Sequence, residues 1–201
     1  MKVIGLSTYG GPESLRTFEL DEPRAGAGEV RVRVQAAGIN PADVMLRDGL
    51  LADYYRDSTP PFVPGMDFAG TIDEIGDAVD PSFGLSIGDS VVGIVDNSGS
   101  YGAYSEKVIV PAASVTARPA GSTAAQAASF LMNALTARCA LDVLDLSTDS
   151  TLLVTGAAGA VGGYVTQLAS HAEIRVVAIG SEDDEDLLRI LERVGKVSSG
   201  G

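Results

Sequence analysis

The 201-residue sequence has no tryptophan, one cysteine and one histidine, and 14 basic residues stand against 27 acidic ones. Because Cys139 is the single thiol, no disulfide can form within the chain. Cys139 and His171 together cannot supply the four Cys or His ligands of a zinc site. The formal net charge of −13 repels nucleic acid and anionic lipid. We therefore expect no metal cofactor, no nucleic-acid partner and no membrane partner.

Long hydrophobic runs are also scarce. The N-terminal segment MKVIGLSTYGGPE has an apolar run too short for a signal peptide, and we expect no stretch to approach the ~20 apolar residues of a spanning helix. Hydrophobic residues make up 45% of the chain and charged residues 20%, which favours a folded β-rich or α/β protein. These observations predict a cytoplasmic protein.

Short strands separated by Gly, Pro and Asp dominate the chain up to about residue 120. The segment EVRVRVQA, residues 29–36, alternates apolar and charged side chains, as a half-buried strand does. AGTIDEIG, DSVVGIV and YSEKVIV predict further strands between turn-rich pieces. The pattern predicts a small antiparallel barrel or sandwich over residues 1–125.

The composition changes near residue 123, where TAAQAASFLMNALTARCALDVL lacks Gly and Pro and predicts one helix with Ser122 as its N-cap. The run TLLVT predicts a strand covered on both faces. A helix from about Ala160, a second strand IRVVAI and a last helix capped by Ser181 follow. Residues 126–201 are therefore expected to form a linking helix and a truncated βαβα unit, which makes the whole chain α/β.

The turn between the first of these strands and its helix reads GAAGAVG. Its small residues let the backbone turn sharply and approach a pyrophosphate, which the N–H groups and dipole of the helix would hold. A tight strand-to-helix connection with close packing is the alternative explanation. Because the flanking strand and helix are both predicted, we favour a nucleotide site made by Gly156, Ala157, Ala158, Gly159, Ala160, Val161 and Gly162.

Several segments in the same order, among them GGPESL, GEVRVRVQAAGINPADVMLRDG, PFVPGMDFAGTIDEIG, YGAYSEKVIVPA and VTGAAGAVGGYVTQLA, resemble the zinc-free quinone oxidoreductases and enoyl reductases of the medium-chain dehydrogenase/reductase superfamily. The resemblance implies a GroES-like β-barrel domain followed by a Rossmann domain, with NADPH between them. Zinc enzymes of the superfamily carry Cys-His where this chain has Asn40 and Pro41, and His where it has Met66. The resemblance therefore implies a reaction without a metal.

The resemblance also implies roles for individual residues. It places Asn40 near the nicotinamide and Thr136 near the ribose or amide of the cofactor. The residues alone allow simpler roles, with Asn40 as a turn residue before proline and Thr136 as a helix hydroxyl bonded to its own backbone. Relatives often carry two tyrosines within the segment 45–51 that this chain lacks, and Tyr54 and Tyr55 are the candidates to replace them as catalytic hydroxyls.

The position that usually meets the cofactor's 2′-phosphate is acidic in this chain. NADPH-binding relatives set a lysine a few residues beyond Ser181, whereas residues 182–186 read EDDED. A phosphate carrying about two negative charges would face like charges there. The same acids favour the dipole of the helix that they begin. Ser181 stays a cofactor-binding candidate, and we expect NADPH to bind weakly.

Three functions remain open. The first is a small-molecule enzyme on this scaffold, with NADPH-dependent hydride transfer impaired or lost and the cleft reused for isomerisation, elimination or cyclisation of a conjugated carbonyl. The second is an NADPH-dependent quinone or enone reductase completed by dimerisation, and the third is a non-catalytic binding or scaffold subunit. The later strand that would complete a dinucleotide crevice is missing from the sequence. An unpaired strand edge beside TLLVT then predicts a homodimer through the Rossmann units.

Overall fold

The computed structural model of the chain describes residues 1–98 and 101–196, with side chains up to Leu191. The chain divides into two compact units, Met1–Leu131 and Met132–Gly201. The sequence-based boundary was placed at residue 125. The first unit is mainly β and the second alternates strands and helices, so the predicted α/β class is confirmed.

The first unit is built from antiparallel strands. The strands are β1 (Lys2–Gly5), β2 (Arg16–Glu19), β3 (Glu29–Ala37), β4 (Asp67–Ile75), β5 (Ser90–Ile94), β6 (Lys107–Pro111) and β7 (Val115–Ala117). Within the described residues the main sheet has five strands in the order β6-β3-β4-β5-β7, and β1 and β2 form a separate two-stranded sheet. The short helix α1 (Pro41–Arg47) follows β3.

The larger of the two buried clusters among the described residues of this unit lies around Phe68. Phe68 and Ile72 of β4 are fully buried there beside Val30 and Val32 of β3. The alternation predicted for EVRVRVQA holds for these valines but not for Arg31, which is only 7% exposed. A Cβ added to Gly93 would stand 2.7 Å from the Phe68 ring, so the missing side chain makes room for the aromatic ring. Close packing at this density makes the core sensitive to any change of volume.

The predicted single helix after residue 123 is two helices, α2 (Ala124–Ala128) and α3 (Leu131–Leu144). The turn between them begins at Ser129, whose hydroxyl donates to the Gln126 carbonyl at 2.9 Å. Ser129 is the C-cap of α2, and its backbone N–H donates to the same Gln126 carbonyl at 3.3 Å, three residues back. The expectation of one uninterrupted helix is therefore wrong.

The N-cap of α2 also differs from the expectation. Thr123 caps the helix in a capping box with Gln126, whereas the Ser122 hydroxyl donates to the Pro119 carbonyl at 2.6 Å. The Thr-x-x-Gln spacing supplies two reciprocal bonds at the helix start. Ser122 cannot compete with that pair, since its hydroxyl is used in the preceding turn.

The segment Ala124–Leu144 corrects a second expectation. It spans 21 residues with a mean hydropathy of 1.3 in its most apolar window. By length and composition alone it could therefore cross a membrane, although the sequence was expected to hold no stretch of that length. Alanine, leucine and methionine raise the hydropathy despite Arg138 and Asp142 within the segment. Of that window, 17% is buried.

The second unit continues from α3 with β8 (Thr151–Thr155), α4 (Ala160–His171), β9 (Arg175–Ile179) and α5 (Glu185–Lys196). β8 and β9 pair in parallel, so the predicted βαβα order is confirmed. Helix α5 packs on α4, where Leu191 lies 3.5 Å from the place of a Cβ on Gly163.

The strand β8 was expected to be covered on both faces, and that expectation is wrong for the described residues. Leu153 is 57% exposed, and Val177 and Ile179 of β9 are 43% and 49% exposed. Successive strand residues point to opposite faces, and Val154 on the other face of β8 is buried. One face of this small sheet is therefore apolar and open.

Candidate functional site

Asn40 lies where β3 gives way to α1, and it forms the N-cap of that helix. Its side chain is almost completely buried, and Nδ2 donates to Oδ1 of Asp67 at 2.8 Å. Asp67 opens β4 and is 1% exposed. Asn40 thus has the helix-start position that its place before proline allows. Its amide group is also held by β4, through the bond to Asp67.

Asp43 is the centre of the hydrogen bonds around Asn40. Its buried carboxylate accepts from the backbone N–H of Asn40 at 2.8 Å and from that of Gly65 at 2.7 Å. The Tyr104 hydroxyl donates to the same carboxylate at 3.5 Å. Burial, and then the nearby negative charge of Asp43, raises the pKa of Tyr104 well above its usual range. Tyr104 therefore stays a neutral donor.

Gly65 has no side chain, and its backbone can therefore lie close to Asp43 and Tyr104. Its φ is +94°, in the left-handed region that favours glycine. A Cβ there would stand 2.6 Å from Cδ1 of Tyr104. Asp43, Asp67 and Tyr104 were not among the predicted site residues. The Asn-x-x-Asp spacing of a capping box is the signal that could have found Asp43.

The two tyrosine candidates have different environments. Tyr54 is 65% exposed, whereas Tyr55 is 4% exposed and its hydroxyl donates to Oδ1 of Asn97. Burial, together with the nearby Tyr54 and Asp96, raises the pKa of Tyr55 to about 12. Tyr55 therefore keeps its proton at neutral pH and directs it to Asn97. No sequence signal marked Asn97, which lies in a polar loop after β5.

A pocket of about 510 Å³ opens beside Asn97 in the first unit. Residues 61–63 contribute apolar side chains to its wall, and Ser58, Thr59 and Tyr101 contribute hydroxyl-bearing ones. The Phe62 ring stacks on Tyr9 with 5.4 Å between the ring centroids. The volume lies in the range of about 300–1,000 Å³ that is usual for small-molecule sites.

The glycine turn joins β8 to α4 in the second unit. Gly156 has φ +63°, and no atom lies within 4 Å of the place of a Cβ on it. A Cβ on Gly162 would stand 2.3 Å from the Gly156 carbonyl oxygen. Gly159 is the N-cap of α4, and the fully buried Ala157 donates its N–H to the Ile179 carbonyl at 3.1 Å. Close packing is therefore one reason for the glycines.

Thr136 and Ser181 both use their hydroxyls locally. The Thr136 hydroxyl donates to the Met132 carbonyl within α3 at 2.7 Å, which is the simpler role that the residue alone allowed. Ser181 precedes a 3₁₀ turn, and its hydroxyl and backbone N–H donate to Asp184 at 2.7 and 3.0 Å. These two bonds hold the pKa of Asp184 below its usual value. The turn after Ser181, which was expected to meet the 2′-phosphate of the cofactor, thus carries an ionised carboxylate.

Metal ligands are not grouped in the described part of the chain. Among residues 1–98 and 101–196 no set of three or more His, Cys, Asp or Glu side chains could hold a metal ion. Cys139 is exposed. Asp43 and Asp67 are the two buried carboxylates next to Asn40, and both accept hydrogen bonds from amide groups.

Residues 26–120 match the family model of the alcohol dehydrogenase GroES-like domain. Asn40, Asp43, Tyr55 and Asn97 all lie within the matched segment. The match and the fold define the class: a GroES-like β domain followed by a partial Rossmann unit. The chain belongs to the medium-chain dehydrogenase/reductase superfamily, in its quinone oxidoreductase branch, as its relatives and structural neighbours also indicate.

Two curated relatives illustrate the match. The human synaptic vesicle membrane protein VAT-1 homolog-like is 36% identical over 173 residues, which cover 85% of this chain and 38% of that protein. The chloroplastic quinone-oxidoreductase QR1 of Triphysaria versicolor is 30% identical over 203 residues, which cover 95% and 59%. The chain thus spans between 38% and 59% of the length of these relatives.

Solved structures agree with this placement. The quinone oxidoreductase of Coxiella burnetii superposes with a TM-score of 0.84 at 28% identity, over 95% of this chain and 60% of that one. The CurK enoyl reductase gives 0.84 at 27% identity, over 94% and 57%. The mycobacterial protein Rv1454c, complexed with NADPH, gives 0.79 at 31% identity, over 95% and 56%.

Proposed function

We propose that the protein is an NADPH-dependent reductase of quinones or other conjugated carbonyl compounds. The observation that carries the proposal is the strand, glycine turn and helix at Gly156 to Gly162, in a chain similar to quinone oxidoreductases and to a structure that holds NADPH. NADPH supplies the hydride when it is bound. Loss of hydride transfer was the first function predicted from the sequence, and the comparisons support the reductase alternative at least as well.

The turn fits the pyrophosphate of a dinucleotide. The space beside Gly156 and the close approach at Gly162 leave the backbone free of side chains. The first turn of α4 also has N–H groups without a partner inside the helix, and these suit an anion. The backbone of residues 156–162 would therefore hold the pyrophosphate.

The 2′-phosphate end fits less well. Asp184 is ionised and bonded to Ser181, and Glu182, Asp183 and Glu185 add negative charge to the same exposed turn. A phosphate of about two negative charges is repelled there. We therefore propose that this chain binds NADPH weakly, and that NADH, which lacks the 2′-phosphate, loses less from these acids.

Asn40 is the candidate to contact the reacting end of the cofactor. The bond from Nδ2 to Asp67 fixes its amide plane, and Asp43 holds its backbone N–H. Asp67 and Asp43 act through Asn40, so they are positioning residues. The buried setting keeps water from competing for the amide.

The test is NADPH oxidation, followed by absorbance, with 1,4-naphthoquinone and with a conjugated enone as acceptors. We expect protein-dependent oxidation in the wild type and its loss in Gly162→Ala, because the added methyl group would meet the Gly156 carbonyl. Gly11→Ala is the matched control, since the flexible Glu13 side chain can move aside. Oxidation that is unchanged in Gly162→Ala would contradict the proposal.

A second candidate function is favoured by the acids at residues 182–186. In that case the protein works without hydride transfer and isomerises, eliminates or cyclises a conjugated carbonyl. The same assay separates the alternatives, because the carbonyl compound would change while NADPH is not consumed. Ligand binding without any turnover would instead favour a binding or scaffold subunit.

We also propose that two copies associate through the open face of the small sheet and act in the cytoplasm. Leu153, Val177 and Ile179 expose apolar surface, and burying it stabilises by about 25 cal/mol per Å². Twofold association closes such a surface without forming a fibre. Light scattering should give twice the 20.6 kDa of one chain, and a mass of one chain would contradict the dimer.

A further inference from the structure

Asn97 lies in the loop after β5, and hydrogen bonds hold the residues on both sides of it. The Val95 N–H donates to the Met66 carbonyl at 2.7 Å. Ser98 donates its hydroxyl and its N–H to Asp96 at 2.7 and 3.0 Å. The Ser98 carbonyl in turn accepts from a residue 40 positions away, the hydroxyl of Ser58, at 2.8 Å. Residues 95–98, which include Asn97, are therefore tied to other parts of the first unit.

The orientation of the Asn97 amide is set by Tyr55. An asparagine side chain has an acceptor end, Oδ1, and a donor end, Nδ2. The Tyr55 hydroxyl occupies the acceptor end, and the Tyr54 and Phe62 rings hold the Tyr55 ring edge-on at centroid distances of 5.2 and 6.1 Å. The donor end is therefore turned away from Tyr55.

Nothing within the described residues uses that donor end. Across residues 1–98 and 101–196, Nδ2 of Asn97 makes no hydrogen bond to another protein group, and Asn97 lines the 510 Å³ pocket. A polar donor beside such a space suits a ligand that brings an acceptor. The pocket thus offers an oriented N–H group to whatever it binds.

The remaining wall defines what kind of ligand fits. Residues 61–63 give apolar surface, Tyr101 gives an aromatic ring, and Asp57 is the one charged residue among the described lining residues. With no cation in that part of the wall, an anionic ligand has no charged partner there. A neutral compound with an acceptor oxygen matches the wall.

We propose that Asn97 donates a hydrogen bond from Nδ2 to the carbonyl oxygen of a neutral conjugated carbonyl compound, such as a quinone, bound in this pocket. This inference rests on the proposed function and assigns it a substrate-binding residue. Tyr55 is then a positioning residue that acts through Asn97. It is not itself the hydroxyl that meets the substrate.

The test is binding of 1,4-naphthoquinone without NADPH, measured by calorimetry, with naphthalene as the matched ligand that lacks carbonyl oxygens. Asn97→Asp keeps the shape and removes the donor, so we expect quinone affinity to fall about tenfold while naphthalene affinity stays unchanged. Tyr55→Phe frees the amide to rotate and should weaken quinone binding by a smaller factor. Asn133→Asp makes the same chemical change in the second unit and should have no effect.

A second measurement does not depend on a variant that folds. The side-chain amide protons of Asn97, assigned by NMR in the wild type, should shift when the quinone is added and should not shift with naphthalene. Equal quinone affinity in Asn97→Asp, unmoved amide signals at saturation, or no quinone binding would each overturn the inference. If NADPH-dependent quinone reduction persists in Asn97→Asp with unchanged KM, the inference fails and the proposed function stands. If the quinone binds through Asn97 but no NADPH is oxidised, the inference stands and the proposed function fails.

Discussion

Replacing Asp43 by alanine should lower the free energy of unfolding of the first unit by more than its position on a short helix suggests. The carboxylate accepts the backbone N–H groups of Asn40 and Gly65 at 2.8 and 2.7 Å, and it is 5% exposed. A buried donor left without an acceptor costs about 1–3 kcal/mol. The two N–H groups together therefore cost about 2–6 kcal/mol. The Tyr104 bond, at 3.5 Å, is long and adds little.

Urea denaturation followed by circular dichroism measures this change. Small domains are stable by about 5–15 kcal/mol, so the expected loss is a large share of the free energy of unfolding. Asp48→Ala is the control, because Asp48 pairs with Arg47 at the surface and exposed pairs are worth about 0–1 kcal/mol. Asp43→Asn should lie between the two, since one acceptor oxygen remains.

Hydrogen exchange locates the effect. The Gly65 amide should lose protection in Asp43→Ala and keep it in Asp48→Ala. Removing the Asp43 charge should also lower the pKa of Tyr104, because that charge is the second cause of its rise after burial. If Asp43→Ala and Asp48→Ala unfold within 1 kcal/mol of each other, roughly the upper limit for a surface pair, the reasoning about buried N–H groups is wrong.

Three further predictions concern the core of the first unit, the buried Tyr55 and the exposed face of the small sheet. Phe68→Ala should destabilise the first unit by about 3–5 kcal/mol, because the ring is fully buried, whereas Phe83→Ala should change little, since Phe83 is 47% exposed; equal urea midpoints would contradict this. Between pH 10 and 12 the wild type should lose stability, because the folded pKa of Tyr55 is about 12 against 10.0 unfolded. Stability from such a raised pKa is complete below the unfolded value and is lost as the pH rises through the folded one. Tyr55→Phe should flatten that part of the curve, and an unchanged slope would argue against the buried phenol. Leu153→Lys should convert a dimer to single chains in light scattering, and a dimer that persists would place the contact elsewhere.

Local pattern was enough to predict much of the fold. Alternation in EVRVRVQA predicted β3, and Val30 and Val32 are buried as that period requires. The order of strand, glycine turn and helix at β8 and α4 was also predicted, because small residues between an apolar run and a helix start act over a few neighbours. Local pattern failed at Ser129, where α2 ends in a tight backbone turn, and at β8, where burial depends on other elements.

The sequence by itself determined the α/β class, the acidic charge and the glycine turn, because each follows from composition or from neighbours along the chain. Tertiary structure alone decided which polar groups meet. Tyr55 and Asn97 are 42 residues apart, and Asn40 and Asp67 are 27 apart. The pairing of β3 with β4 brings Asn40 near Asp67, whereas Tyr55 and Asn97 both lie outside the strands. A single polar side chain in a loop has no periodicity from which its partner could be predicted.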